Sequence, residues 1–386
     1  MTNYLTITAH PWQYVFPRLG DGPRERPQML ICLAGFTAPP SLGIIVDMRV
    51  ERFLRAIRRL AGAAGRSTAH PVVLMSILVA LFGFLSCGQG DTARRDPGAG
   101  SRGAIGPQEA EIPISGRIVF QSDLDGDDEI YLLQGRRIEK LTDNTWDDRY
   151  PRWSPDGEKI AYTANPRGNF DVFVRDMSGG KVSPLTDSPE DEVDVAWFPD
   201  GTGIAYSAEF KKTLGKKRSI ERLDLASGER SRLLPGFSGS HQLPDLSPRL
   251  PQVAFTGKKG LGWDVFLGDL KDQSIRQMTL NGKGCRPRFS PDGQRIAYVS
   301  AEADGKGDIW IMGVDGREPR RLTLRSDAFD YFPSWSPDGA RIVFCSNLKD
   351  KYADKGEWGL YLIDLDGGRV TRLFDSPGRD VFPDWH

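Results

Sequence analysis

Enzymatic chemistry needs a nucleophile, an acid/base pair or a metal site, and this chain carries a narrow stock of all three. Of its four histidines, only His241 and His386 lie beyond residue 87. That is too few for a multi-histidine metal site or for a Ser-His-Asp triad with alternatives to choose among. No Gly-x-Ser-x-Gly occurs, and Gly236-Phe237-Ser238-Gly239 fails the spacing. The densest run of hard oxygen donors is Asp123-Leu124-Asp125-Gly126-Asp127-Asp128-Glu129. Asp123, Asp125, Asp127 and Glu129 have the spacing of a Ca2+ loop, but the distal bidentate Glu of an EF-hand is missing. The same residues make tight turns, as Asp304-Gly305 does later in the chain. Turn chemistry is the favoured reading, and no cofactor is expected.

A second set recurs instead of clustering. Asp148, Glu192, His241, Gly284, Asp330 and Asp380 each stand three residues before a recurring Pro or its equivalent. Two readings apply. All six are expected to ring the mouth of a channel; their carboxylates cap neighbouring backbone N–H groups because the architecture requires it, or they serve binding. In the second reading His241 with Gln242, and Gly284 with Arg286, mark where the ring has been altered. Arg149, Tyr150 and Tyr331, with Trp146 and Phe332 nearby, add surface suited to peptide or glycan contact.

The element that positions these residues is one repeated stretch. Residues 150–162 read YPRWSPDGEKIAY, and copies follow as AWFPDGTGIAY at 196–206, RFSPDGQRIAY at 288–298 and SWSPDGARIVF at 334–344, with a worn copy, LSPRLPQVAF, at 246–255. The markers Ser154, Phe198, Ser247, Ser290 and Ser336 are 44, 49, 43 and 46 residues apart, and Pro383-Asp384-Trp385 continues the series. A strand-like period in the forties predicts a β-propeller with four strands per blade. Each unit parses as a strand, a Pro-Asp-Gly turn, a second strand, a third at 171–175 and its equivalents, and a polar outer strand at 181–186. The repeats open at 117–121 on a second strand and end at 381–385 on a first strand. Six blades are therefore expected, the last strand completing the first blade and removing the sheet edge. Trp153, Trp197, Phe289, Trp335 and Trp385 are read as packing between blades. Two longer loops, 209–219 and 348–358, are expected on the mouth face.

The W-S-P-D-G-x-x-I-A-Y unit, the D-I-W-I strand at 308–311 and the R-L-T end at Arg321-Leu322-Thr323 together resemble the repeat of TolB-type propellers. Similar repeats occur in the propellers of tricorn-like and prolyl-oligopeptidase-like peptidases. The resemblance covers residues 114–386 and implies an all-β, six-bladed propeller. TolB itself carries a separate α/β domain before its propeller, for which residues 88–113 are too short.

Composition supports an exported globular protein. Gly at 43 and Pro at 27 favour strands and turns. Residues 114–386 carry 39 Lys/Arg against 44 Asp/Glu, a net −5 that gives no electrostatic case for nucleic acid. Lys211, Lys212, Lys216, Lys217 and Arg218 read as a solvated loop. Cys285 and Cys345 read as buried thiols in preference to a bridge. Residues 72–85 are an uncharged apolar run preceded by Arg49, Arg52, Arg55, Arg58, Arg59 and Arg66. That length suits a signal peptide, and Phe84-Leu85-Ser86-Cys87 resembles a bacterial lipobox with Cys87 as the lipidated residue. Residues 1–47 are expected to lie upstream of the true start at Met48, 48–87 to be the signal peptide, and 88–113 a flexible tether. The functional expectation is a monomeric, non-catalytic propeller that binds an envelope protein or peptide and is held to the membrane by its lipid anchor, in the periplasm or at the outer surface. The alternatives are a propeller hydrolase or lyase acting on carbohydrate or peptide, and a structural scaffold of an envelope complex.

Overall fold

The computed structural model describes residues 4–9, 12–17, 110, 112–212, 215–260, 262–325, 327–347, 358–366 and 368–386. Tyr4–Ala9 and Trp12–Pro17 pair as an antiparallel hairpin in a unit of their own. The signal segment, the lipobox with Cys87, and most of the tether and of the 348–358 loop lie outside the described residues. Among those described, no helix is long and apolar enough to cross a membrane.

Six four-stranded antiparallel sheets make up the second unit. Blade 2 is typical. Its inner strand Asp148–Trp153 pairs with Lys159–Ala164, then Asp171–Asp176, then Val182–Pro184. Blades 3 to 6 start from the inner strands Glu192–Trp197, Ser240–Leu246, Gly284–Phe289 and Asp330–Trp335. Blade 1 is closed by the C-terminal strand. Val381–Trp385 pairs with Arg117–Ser122, Trp385 opposite Ile118 and Val381 opposite Gln121, and Arg117 and His386 exchange backbone hydrogen bonds. Each inner strand contacts the next around a closed ring. The chain is thus an all-β, six-bladed propeller, as the repeats require.

The turn in each repeat has a local cause. Ser154 Oγ donates to Asp156 Oδ1 at 2.5 Å and accepts the Lys159 N–H at 2.9 Å, while Gly157 takes φ 70°. Ser290 with Asp292, and Ser336 with Asp338, repeat this arrangement. The aromatic position packs between blades, as expected. Trp153 joins Val119, Ile130 and Leu132 of the preceding blade in one core cluster. Arg117, Arg295 and Arg341 stack on the Trp of the following blade, at 4.4, 4.8 and 5.1 Å for Trp153, Trp335 and Trp385. Cys285 and Cys345 are free and buried.

Two local expectations need correction. The outer strand stops at Pro184 because Leu185 and Thr186 turn back, both donating to Val172 O, and Thr186 Oγ1 accepts the Val172 N–H. Thr142, Thr279 and Thr323 do the same for Ile130, Val265 and Ile309, so the R-L-T signature is a hydroxyl cap. Residues 209–219 are not an open loop. The second and third strands of blade 3, Gly203–Lys212 and Gly215–Asp224, continue as one long hairpin with Lys211 opposite Lys216.

Candidate functional site

The inner strands build the channel through one shared kink. In every blade the register shifts after the second position of the repeat. The third residue then lies in the left-handed region: Tyr150, Asp194, Leu243, Arg286, Phe332 and Phe382, all at φ between 54 and 58°. For L-residues this conformation costs on the order of 1 kcal/mol each, so neighbouring structure must hold it. Part of that hold comes from the preceding blade. Gln121 Oε1, Ser207 Oγ and Thr256 Oγ1 accept the N–H groups of Tyr150, Leu243 and Arg286.

The kink sends the third residues towards one another. The rings of Phe332 and Phe382 lie 3.8 Å apart, those of Tyr150 and Phe382 4.4 Å, and Arg286 sits 4.4 Å over Phe332 and 5.0 Å from Tyr331. An aromatic and cationic ring from blades 1, 2, 5 and 6 therefore narrows the mouth. Deeper along the channel, the fifth residues form a charged waist. Asp384 pairs with Arg288 and, at 3.4 Å, with Arg152; Arg288 also meets Asp245 at 3.4 Å. Asp384 Oδ2 accepts the Trp153 N–H at 2.8 Å and Asp245 Oδ2 the Phe289 N–H at 2.7 Å. Burial and the adjacent Arg288 pull Arg152 down to about 10, against Asp384. Burial also works against Arg288, but Asp245 and Asp384 outweigh it and raise it.

Of the residues singled out from sequence, Tyr150, Arg286 and Tyr331 are gathered at the mouth. Arg149 is tied to Asp128 and Asp147, and Gln242 Oε1 accepts from Arg218 Nη1. The first-position residues are elsewhere: Asp148, Glu192, His241, Asp330 and Asp380 are at most 3% exposed, set between blades. Asp380 accepts from Ser376 N and Oγ, Asp148 from Asn144 Nδ2, and Glu192 faces Arg230 at 3.2 Å. These contacts are those of caps. Burial pushes Asp148 and Asp380 up to about 7 and raises Glu192 and Asp330. His241 packs against Phe237 and Phe255, and burial lowers its pKa. Sequence reasoning missed Phe382, Leu243 and the whole waist. The signal was there in the fifth position of the copies, which reads Arg152, Ala196, Asp245, Arg288, Ser334, Asp384.

Asp125 and Glu129 do meet, but around an ammonium group. Lys140 Nζ pairs with Asp125, with Asp143 at 2.5 Å and with Glu129 at 3.6 Å. Asp123 accepts the Arg379 N–H at 2.6 Å. Among the described residues no group of three or more His, Cys, Asp or Glu is placed to hold a metal ion.

Comparison with known proteins agrees with this architecture. The TolB beta propeller domain model matches residues 110–263 and 243–351. An uncharacterized protein of Agrobacterium fabrum is 32% identical over 146 residues, 36% of this chain and 49% of that protein. Tol-Pal system protein TolB of Francisella tularensis is 27% identical over 133 residues, 34% of this chain and 30% of that protein. The matches thus span about half of the first relative's length and less than a third of the second's. The crystal structure of TolB from Acinetobacter baumannii superposes with a TM-score of 0.61 at 21% identity, over 71% of this chain and 68% of that one.

Proposed function

The chain belongs to the TolB beta propeller family, and on that premise we propose that it is a non-catalytic protein of the bacterial cell envelope whose propeller mouth binds a protein or peptide. The observation that carries this reading is the composition of the mouth. Tyr331 and Phe332 are half-buried side chains beside Arg286, and aromatic residues with Arg dominate the binding energy of protein contacts. Scaffold-held loops and strand ends are also where propeller-like folds place recognition. The anchor belongs to the same proposal. Residues 72–85 direct export, Cys87 takes the lipid, and the Gly- and Pro-rich stretch after it tethers a monomeric propeller to the membrane. Relatives named as Tol-Pal system proteins are matched over only 30% of their length. The partner is therefore proposed as an envelope protein or peptide, without assignment to that system.

In-cell crosslinking of the full chain, followed by purification and mass spectrometry, tests this directly. Wild type should capture the same partner reproducibly, and Tyr331→Ala should lose it while the purified variant still unfolds in one cooperative thermal transition. Equal capture by the variant, or turnover of a carbohydrate or peptide substrate by the wild type, would count against the reading. The mass of the N-terminal peptide tests the anchor: a diacylated or triacylated Cys87 is expected.

A further inference from the structure

Between the aromatic ring and the charged waist the channel holds a cavity of about 20 Å3, room for one small group. Its walls are one-sided in charge. Arg152, Arg286 and Arg288 line it, together with prolines, Leu243 and the rings of Phe332 and Phe382, and no carboxylate faces it. Asp245 and Asp384 engage Arg288 through Nε and Nη2. That leaves Arg288 Nη1 buried with no hydrogen-bond partner among the described residues. Arg152 and Arg288 share Asp245 and Asp384, and Asp194 also acts on Arg152. Asp194, the next acid along the channel, lies 3.8 Å from Arg218. A buried guanidinium with an unfilled donor is costly, because its desolvation is incompletely offset. The crowding is felt by Arg152, which burial and Arg288 lower to about 10.

We infer that this cavity is an anion site that takes one oxyanion group, above all a carboxylate, either at the end of a chain reaching in past Phe332 and Phe382 or on a small free acid. A carboxylate accepts from Arg288 Nη1 and is approached by Arg286 from the rim, which fills the open donor. The apolar walls set the size limit: the group enters, its carrier stays at the mouth. This site stands whether or not the mouth takes a protein partner.

The test titrates sodium acetate into the full-length protein at fixed ionic strength, with acetamide as the neutral isostere, read by calorimetry and thermal midpoint. Acetate should bind saturably with a Kd on the order of millimolar, and acetamide should not bind. Arg286→Gln should weaken acetate at least tenfold. Leu243→Glu, which supplies a carboxylate from the wall, should abolish acetate binding and leave the protein folded, so that the inference survives loss of one variant to misfolding. Equal responses to acetate and acetamide, a rise that does not saturate, or full binding by both variants would overturn the inference. Peptides with a free or an amidated C-terminus separate the two sources. Tighter binding by the free-ended peptide than by acetate identifies a chain end, and binding by acetate alone identifies a small acid.

Discussion

Replacing Asp384 should cost more than any other single change in the channel. Its carboxylate holds Arg288 and Arg152 and accepts the Trp153 N–H. It is also delivered by the strand that closes the ring. Asp384→Ala takes the ion-pair partner from Arg152, leaves Arg288 with Asp245 alone and removes the acceptor of one buried N–H. Removing one partner of a buried ion pair typically costs about 3–5 kcal/mol, and the orphaned N–H does not add fully to that because the groups share one network. For a domain of this size, at roughly 2 °C per kcal/mol, the expected fall in thermal midpoint is about 6–10 °C. Urea unfolding of the full chain should show the midpoint falling with the slope unchanged. Asp384→Asn keeps an acceptor for Trp153 but not the charge, and should lose about half as much. A cost for Asp384→Ala below about 1 kcal/mol, the range of an exposed pair, would refute the claim that the waist holds the ring together.

Three further outcomes follow from the geometry. Burial pushes Asp380 up to about 7; since its unfolded value is about 3.9, the folded state holds the proton more tightly, and stability falls as pH rises between them. From pH 5 to pH 7 this group alone should contribute a loss of about 2 kcal/mol, measured as urea midpoints, and Asp380→Asn should remove that slope. Thr323→Val leaves the Ile309 N–H without its acceptor and should cost about 1–3 kcal/mol in denaturant unfolding, with Thr323→Ser recovering most of it. Because Lys140 already sits among Asp125, Glu129 and Asp143, millimolar calcium or chelator should move the thermal midpoint by less than about 1 °C.

Fold and site differ in how far they could be read from sequence. The repeat spacing and the phase of its first and last strands were enough for blade number and closure, and the third strands Asp264–Asp269, Asp308–Gly313 and Gly359–Asp364 lie where the repeat put them. The reason is that core burial repeats in every blade and each copy reinforces the others. The site escaped because it depends on the kink in the inner strand. Tyr150, Asp194, Leu243, Arg286, Phe332 and Phe382 share one left-handed conformation, yet none is Gly, and nothing in their types foretells it. Without the kink, the first-position carboxylates were set at the mouth; with it, they are buried caps and the third position faces the opening. The threonine of R-L-T was visible but read as strand, since its role depends on a backbone N–H 14 residues earlier.

Closure by the last strand also sets an order of events during folding. Val381 pairs with Gln121, 260 residues away. Arg117–Ser122 therefore has no inner neighbour until the C-terminal strand Val381–Trp385 is delivered. Through that interval the first blade presents an unpaired strand edge rich in buried-type residues, Ile118, Val119 and Phe120. An open arc of blades is therefore the species most exposed to strand exchange between chains. A chain truncated before Val381 would hold that state indefinitely.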